Sequence, residues 1–115
     1  MKARYIRQST ASQSNLRQLA KAHADETLFV DIISGSVPFK ERPEGKRLIE
    51  AVENGLIDYI SFHAIDRAGR NTLDVISTLE YLHNKGVTVK IENLGLESTI
   101  NDKKNPIFSL VTTIF

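Results

Sequence analysis

The sequence predicts an α/β domain of three layers: a mainly parallel sheet of four to five strands with helices on both faces. Three observations carry this expectation. Short apolar runs alternate with stretches of helical periodicity along nearly the whole chain. Strands separated by helices of that length need crossover connections, which are right-handed and leave the strands parallel. The 115 residues suffice for one core and are too few for two.

Residues 4–8 give a first short strand, after which Thr10 or Ser12 can cap a helix with Leu16, Leu19, Ala20 and Ala24 at helical spacing. "LFVDII" (28–33) is the second strand. "SGSVPFKER" (34–42) is a polar loop leading to Pro43, a favoured first helical residue, and the helix it opens turns Leu48, Ile49 and Val52 inward and stops near Gly55. "IDYISFHAI" (57–65) is the third strand. "NTLDVISTLEYLHNKG" (71–86) is a capped helix with Val75, Ile76, Leu79 and Leu82 inside and Gly86 as its stop. "VTVKI" (87–91) is the fourth strand. After Pro106, Ile107, Leu110, Val111 and Ile114 share one helical face with Phe108 and Phe115 beside it. That wide, uncapped stripe reads as a helix that would continue and pack on another subunit.

Composition narrows the functional classes. The apolar share of 41% and charged share of 25% are those of an ordinary soluble domain, and no window approaches the roughly 20 apolar residues of a membrane span. No basic-then-apolar leader opens the chain, so a cytoplasmic protein is expected. With no cysteine there is no disulfide, thiolate zinc site or cysteine nucleophile, and His23, His63 and His83 lack the spacing of a shared metal. A net charge of +1 leaves room for a local basic cluster.

Such a cluster emerges at the carboxyl ends of the strands, where ligands bind in open parallel sheets. The period of two puts Tyr5, Arg7 and Ser9 on one side of the first strand. The second strand delivers Asp31, then Ser34 and Gly35, and the next loop adds Arg42 before its helix. The third runs into "DRAGR", giving Asp66, Arg67 and Arg70. Gln13 and Gln18 can face this edge from the first helix, whose amino end directs partial positive charge toward Ser9. Capping accounts for one serine and one aspartate, Asp66 included, but not for several arginines. Guanidinium groups bind phosphate bidentately, so arginines around a hydroxyl suit a phosphodiester under attack. "EGKR" (44–47) lacks the remaining residues of a nucleotide-binding loop, no G-x-G-x-x-G occurs, and 7% aromatics offer no base-stacking ribbon.

These residues resemble the catalytic domain of the serine recombinases, the resolvase and invertase family. The likeness lies in "YIRQST" (5–10), Gln13, Gln18, "DIISG" (31–35), Arg42, "DYISFHAIDRAGRNTLD" (58–74) and "YLHNKGVTVK" (81–90), in the family's order. It implies that Ser9 attacks a DNA phosphodiester to give a 5′-phosphoseryl link and a free 3′-hydroxyl. Arg7, Arg67 and Arg70 would hold the phosphate with Arg42 nearby, and Asp66 would orient the arginines or take part in proton transfer. Tyr5, Gln13, Gln18, Asp31 and Ser34 would support the pocket. The bond energy kept in the phosphoserine implies strand exchange with no ATP, metal or other cofactor. The implied partners are double-stranded DNA and further copies of the chain, as a homodimer that becomes a tetramer around two sites. The resemblance divides the chain into a catalytic domain over 1–104 and, over 105–115, the start of a long dimerisation helix, with a DNA-binding domain expected outside these residues. Ala68 departs from the family's usual Leu. Two other readings remain: a dimerisation module whose arginines only grip DNA phosphate, and a magnesium-dependent nuclease built on Asp31, Asp58 and Asp66.

Overall fold

The computed structural model describes residues 1–10 and 13–114, and their side chains except those of 13–15 and 111–114. The strands β1 (Lys2–Gln8), β2 (Thr27–Ile32), β3 (Tyr59–Phe62), β4 (Thr88–Ile91) and β5 (Leu96–Glu97) form one sheet in the order β2-β1-β3-β4-β5. The first four run parallel and β5 returns antiparallel to β4. The fold class read from the sequence holds. Helices α1 (Gln13–Ala22), α2 (Pro43–Glu53) and α3 (Thr72–Asn84) make the crossovers, a two-stranded ribbon follows as β6 (Thr99–Ile100) and β7 (Lys103–Lys104), and α4 spans Pro106–Ile114.

Each helix boundary has a local cause. Pro43 occupies the first turn of α2, where its missing N–H costs nothing. Asn71 caps α3 by accepting from the Asp74 amide at 2.9 Å. Gly55 and Gly86 leave α2 and α3 with φ of +72° and +79°, backbone that a side chain would strain.

The main core lies between the sheet and the pair α2 and α3, built on Phe39, Leu48, Ile60, Phe62, Leu82 and Val89, all fully buried. Phe39 meets Tyr5 and Phe62 edge-on and Tyr5 and Phe62 are tilted to each other, with centroids 4.8 to 6.1 Å apart. The other face is thinly covered. There Leu19 of α1 and His23 just beyond it border a cleft of about 430 Å³ floored by Arg4, Ile6 and Gln8.

Four expectations need correction. Ala20 and Ala24 are exposed, and Ala24 lies beyond α1, so that helix rests on Leu16 and Leu19, themselves only half-buried. β3 has four residues rather than nine, because the chain turns into a 3-10 segment at Ile65–Ala68. Asp66 lies within that turn, and the helix that follows is capped by Asn71 instead. On α4, Ile107 and Leu110 are exposed while Phe108 is buried, and the side chains of Val111, Ile114 and Phe115 lie outside the described residues, as does the Ser12 cap.

Candidate active site

The carboxyl edge of the sheet divides into a buried frame and an open rim. Alternation along β1 turns Tyr5 inward, and its neighbour in register two residues on, Arg7, sits opposite Asp31 of β2. Asp31 is buried and accepts three hydrogen bonds: from the Tyr5 hydroxyl at 2.8 Å, the Glu44 amide at 2.9 Å and the Gly45 amide at 3.0 Å. Those amides belong to the first turn of α2, whose N-cap residue Arg42 offers no side-chain cap. Asp31 therefore caps α2 from across the sheet and offsets its dipole.

Arg42 is fully buried. Its Nε donates to the Val37 carbonyl at 2.9 Å, Nη1 to the Arg67 carbonyl at 2.8 Å and to the Tyr5 hydroxyl at 3.4 Å, and Nη2 to the Gly35 carbonyl at 3.4 Å. The cation lies beside the rings of Phe39 and Tyr5, 5.7 and 6.0 Å from their centroids. With its donors engaged by backbone carbonyls and the Tyr5 hydroxyl, Arg42 ties together the loops that carry Gly35 and Arg67. Burial pushes the Tyr5 hydroxyl well above the ordinary tyrosine pKa, Arg42 opposes this and Asp31 adds to it. The Tyr5 hydroxyl thus stays protonated as a fixed donor to Asp31.

The rim is different. Arg7 anchors one nitrogen on the Ile33 carbonyl at 3.1 Å and lays its guanidinium against Gly35, where a Cβ would stand 3.4 Å from Cζ. Its Nε has no hydrogen-bond partner among the described residues. Burial lowers the Arg7 pKa, with Arg67 and Arg42 adding repulsion, so an anion at this point would relieve both penalties. Arg7, Gly35, Asp66, Gly69 and Arg70 line one shallow cleft, and Arg7 and Arg67 also border the cleft under α1. Arg67 stands 3.7 Å from the Asp66 carboxylate, and both are partly exposed. Arg70 is exposed, its amide bound to Asp74 Oδ2 at 2.8 Å.

Ser9 is exposed, one residue beyond the end of β1. Ser34 is exposed and its Oγ is bonded to Ser36 at 2.9 Å within the loop. Gln18 is exposed on α1, and the Gln13 side chain lies outside the described residues. Asp58 precedes β3 at the opposite end of the sheet, its amide bonded to the Met1 carbonyl. Asp31, Asp58 and Asp66 are therefore not brought together. Ala68 is fully buried, filling a core position with less volume than leucine would.

Sequence reasoning missed several residues that shape this edge. Gly45 is compulsory: a Cβ there would come within 2.3 Å of the Phe39 carbonyl oxygen. At Gly69 a Cβ would come within 2.6 Å of the Val75 nitrogen. Asp74 binds two loops, and its N-x-x-D spacing from Asn71 was the available signal. Arg4, on the α1 face of β1, is clamped between Glu26 at 3.1 Å and Glu92, and Glu26 also meets His23 Nδ1 at 3.2 Å. For Arg4, burial lowers the pKa but the bonds to Glu92 and Glu26 outweigh it, leaving it raised.

The fold and site together define a mainly parallel α/β domain with an arginine-lined edge. The chain belongs to the resolvase family: residues 2–115 match the model described as "Resolvase, N terminal domain". It is 35% identical over 97 residues to the Transposon Tn2501 resolvase of Escherichia coli, which covers 79% of this chain and 49% of that protein. It is 38% identical over 118 residues to the Transposon Tn552 DNA-invertase BinR of Staphylococcus aureus, which covers 100% of this chain and 57% of that one. The chain thus spans about half the length of these curated relatives. The fold matches the crystal structure of the N-terminal catalytic domain of TP901-1 integrase with a TM-score of 0.68 at 20% identity, covering 99% of this chain and 90% of that one. A resolvase-family site-specific recombinase from Streptococcus pneumoniae gives 0.62 at 20% identity, over 99% and 84% of the two chains.

Proposed function

We propose that the chain is the catalytic part of a site-specific serine recombinase that cleaves and rejoins DNA through Ser9. The observation that carries the reading is the division of the arginines. Arg42 is used up inside the frame, while Arg7, Arg67 and Arg70 present guanidinium groups at clefts on the edge where β1 runs out to Ser9. In the reaction, the Ser9 oxygen bonds to phosphorus as its hydroxyl proton leaves, and the bond from phosphorus to the 3′-oxygen breaks. That oxygen takes a proton to become the free 3′-hydroxyl. Charge grows on the phosphoryl oxygens in the transition state, and fixed cations stabilise it there more than in the ground state. Asp66 beside Arg67 orients that guanidinium. Reversal by another 3′-hydroxyl joins the new strand without ATP.

The partners of this reading are double-stranded DNA and further copies of the chain, a homodimer pairing into a tetramer, in the cytoplasm. Among the described residues no helix is long and apolar enough to cross a membrane. Residues 1–104 act as the catalytic domain and 105–115 as the beginning of a dimerisation helix, with Ile107 and Leu110 exposed for a partner. DNA sequence selection falls to a region outside these residues, because phosphate contacts position without specifying.

The test uses the natural full-length protein with supercoiled DNA bearing its own site. Ser9→Ala should abolish strand cleavage while DNA binding persists and chelator leaves wild-type cleavage unchanged. Cleavage retained by Ser9→Ala would overturn the reading, and loss of wild-type cleavage in chelator would transfer the chemistry to a metal.

A further inference from the structure

Asp74 takes no part in the phosphate chemistry above, yet it ties together the segments that frame the cleft. Its Oδ2 accepts from the Arg70 amide at 2.8 Å and from the Phe39 amide at 3.0 Å. Its own amide donates to Asn71 Oδ1 at 2.9 Å. Gly69 lies against it, leaving so little room that a Cβ would come within 2.8 Å of the same oxygen. Phe39 opens the turn that leads to Arg42, whose guanidinium reaches back to the Gly35 and Arg67 carbonyls. One carboxylate oxygen therefore joins the loop bearing Gly35 to the segment bearing Asp66, Arg67 and Arg70.

A helix-capping role does not explain this geometry. In a capping box the third helical residue reaches back to the amide of the N-cap residue itself. Asp74 stands at that third position of α3 but bonds instead to the amide one residue earlier, Arg70, and to Phe39, thirty-five residues away in sequence. Both extra bonds end on backbone beside the rim.

We propose that Asp74 is a positioning residue for the reaction, fixing the backbone root of Arg70 so that its guanidinium meets the phosphate at the cleft. This rests on the serine recombinase reading. Arg70 is exposed on a long, flexible side chain, so the direction in which it leaves the backbone is the part the fold can control. A carboxylate suits the task because a charged oxygen accepts two N–H bonds more strongly than a neutral one. Its charge also complements the amino end of α3.

The experiment compares rates of covalent adduct formation on supercoiled DNA for the full-length protein and its Asp74→Ala, Asp74→Asn, Arg70→Ala and Asp74→Ala/Arg70→Ala variants. Misplacing a reacting group by about 1 Å can cost about 100-fold, so Asp74→Ala should slow adduct formation by about 10- to 100-fold with DNA binding unchanged. Asp74→Asn keeps an acceptor oxygen and should restore most of the rate. In the Arg70→Ala background Asp74→Ala should add no further slowing, since both act through one side chain. Losses that multiply, or a wild-type rate in Asp74→Ala, would overturn the assignment alone. Absence of any Ser9 adduct in the wild-type protein would overturn the recombinase reading and this assignment with it. Hydrogen exchange on the wild-type chain covers the case in which Asp74→Ala does not fold: a protected Arg70 amide supports the anchor, and a freely exchanging one overturns it.

Discussion

Arg42 and Arg70 each lie in a segment after a strand, one and two residues before the first residue of a helix, and they behave in opposite ways. Arg42 lies wholly inside the molecule with its donors on carbonyls, whereas Arg70 stands in solvent at the mouth of a cleft. The difference teaches that a cationic site needs two kinds of cation. One holds the loops, because backbone carbonyls at the ends of parallel strands have no ladder partners and need donors. The other keeps its donors for the ligand.

The comparison breaks most visibly at Arg42. Arg42→Met would leave several buried carbonyls without donors, at about 1–3 kcal/mol each, and should lower stability by about 3 kcal/mol or more, read as a fall in thermal midpoint. Gly45→Ala belongs to the same frame: the clash with the Phe39 carbonyl should cost about 1–3 kcal/mol by overpacking, again seen on melting. Tyr5→Phe should cost about 1 kcal/mol, because it removes a single buried hydroxyl bond to Asp31 while keeping the ring.

The rim should respond in the other direction. Arg70→Ala should leave the melting curve within about 0.5 kcal/mol of wild type, as for other surface changes. It should instead reduce the salt dependence of DNA binding by about one unit of slope, the signature of one lost phosphate contact. A large stability loss with unchanged salt dependence would move Arg70 into the frame.

Glu92 sharpens the contrast on the opposite face of β1. Burial raises its pKa, but its bond to Arg4 prevails and leaves it lowered. A carboxyl with a depressed folded pKa adds stability above its unfolded pKa and loses it as pH falls through the folded value. Glu92→Gln should therefore be less stable than wild type at neutral pH, and the gap in thermal midpoint should close below the ordinary carboxylate range. A gap independent of pH would assign the effect to packing.

Much of the fold was legible because its signals are local. Pro43, Asn71, Gly55 and Gly86 each act within a turn of where they stand, and alternation along β1 already paired Tyr5 with Arg7. The short β3 was not, since Ile57 and Ile65 are both buried and extend the apolar run without joining the ladder. At the site, the arginines of "DRAGR" and Arg7 could be read as a group. The burial of Arg42 could not, because its partners are main-chain oxygens that any residue supplies. Arg4 escaped for a related reason, its carboxylates lying 22 and 88 residues away.

The central claim is that the open rim serves a phosphate attacked by Ser9. The most direct measurement traps cleavage intermediates of the full-length protein in denaturant, digests protein and DNA, and locates by tandem mass spectrometry the residue that carries the 5′-nucleotide. A phosphodiester on Ser9 is the predicted result; an adduct on any other residue, or cleaved DNA with no adduct, would contradict the account.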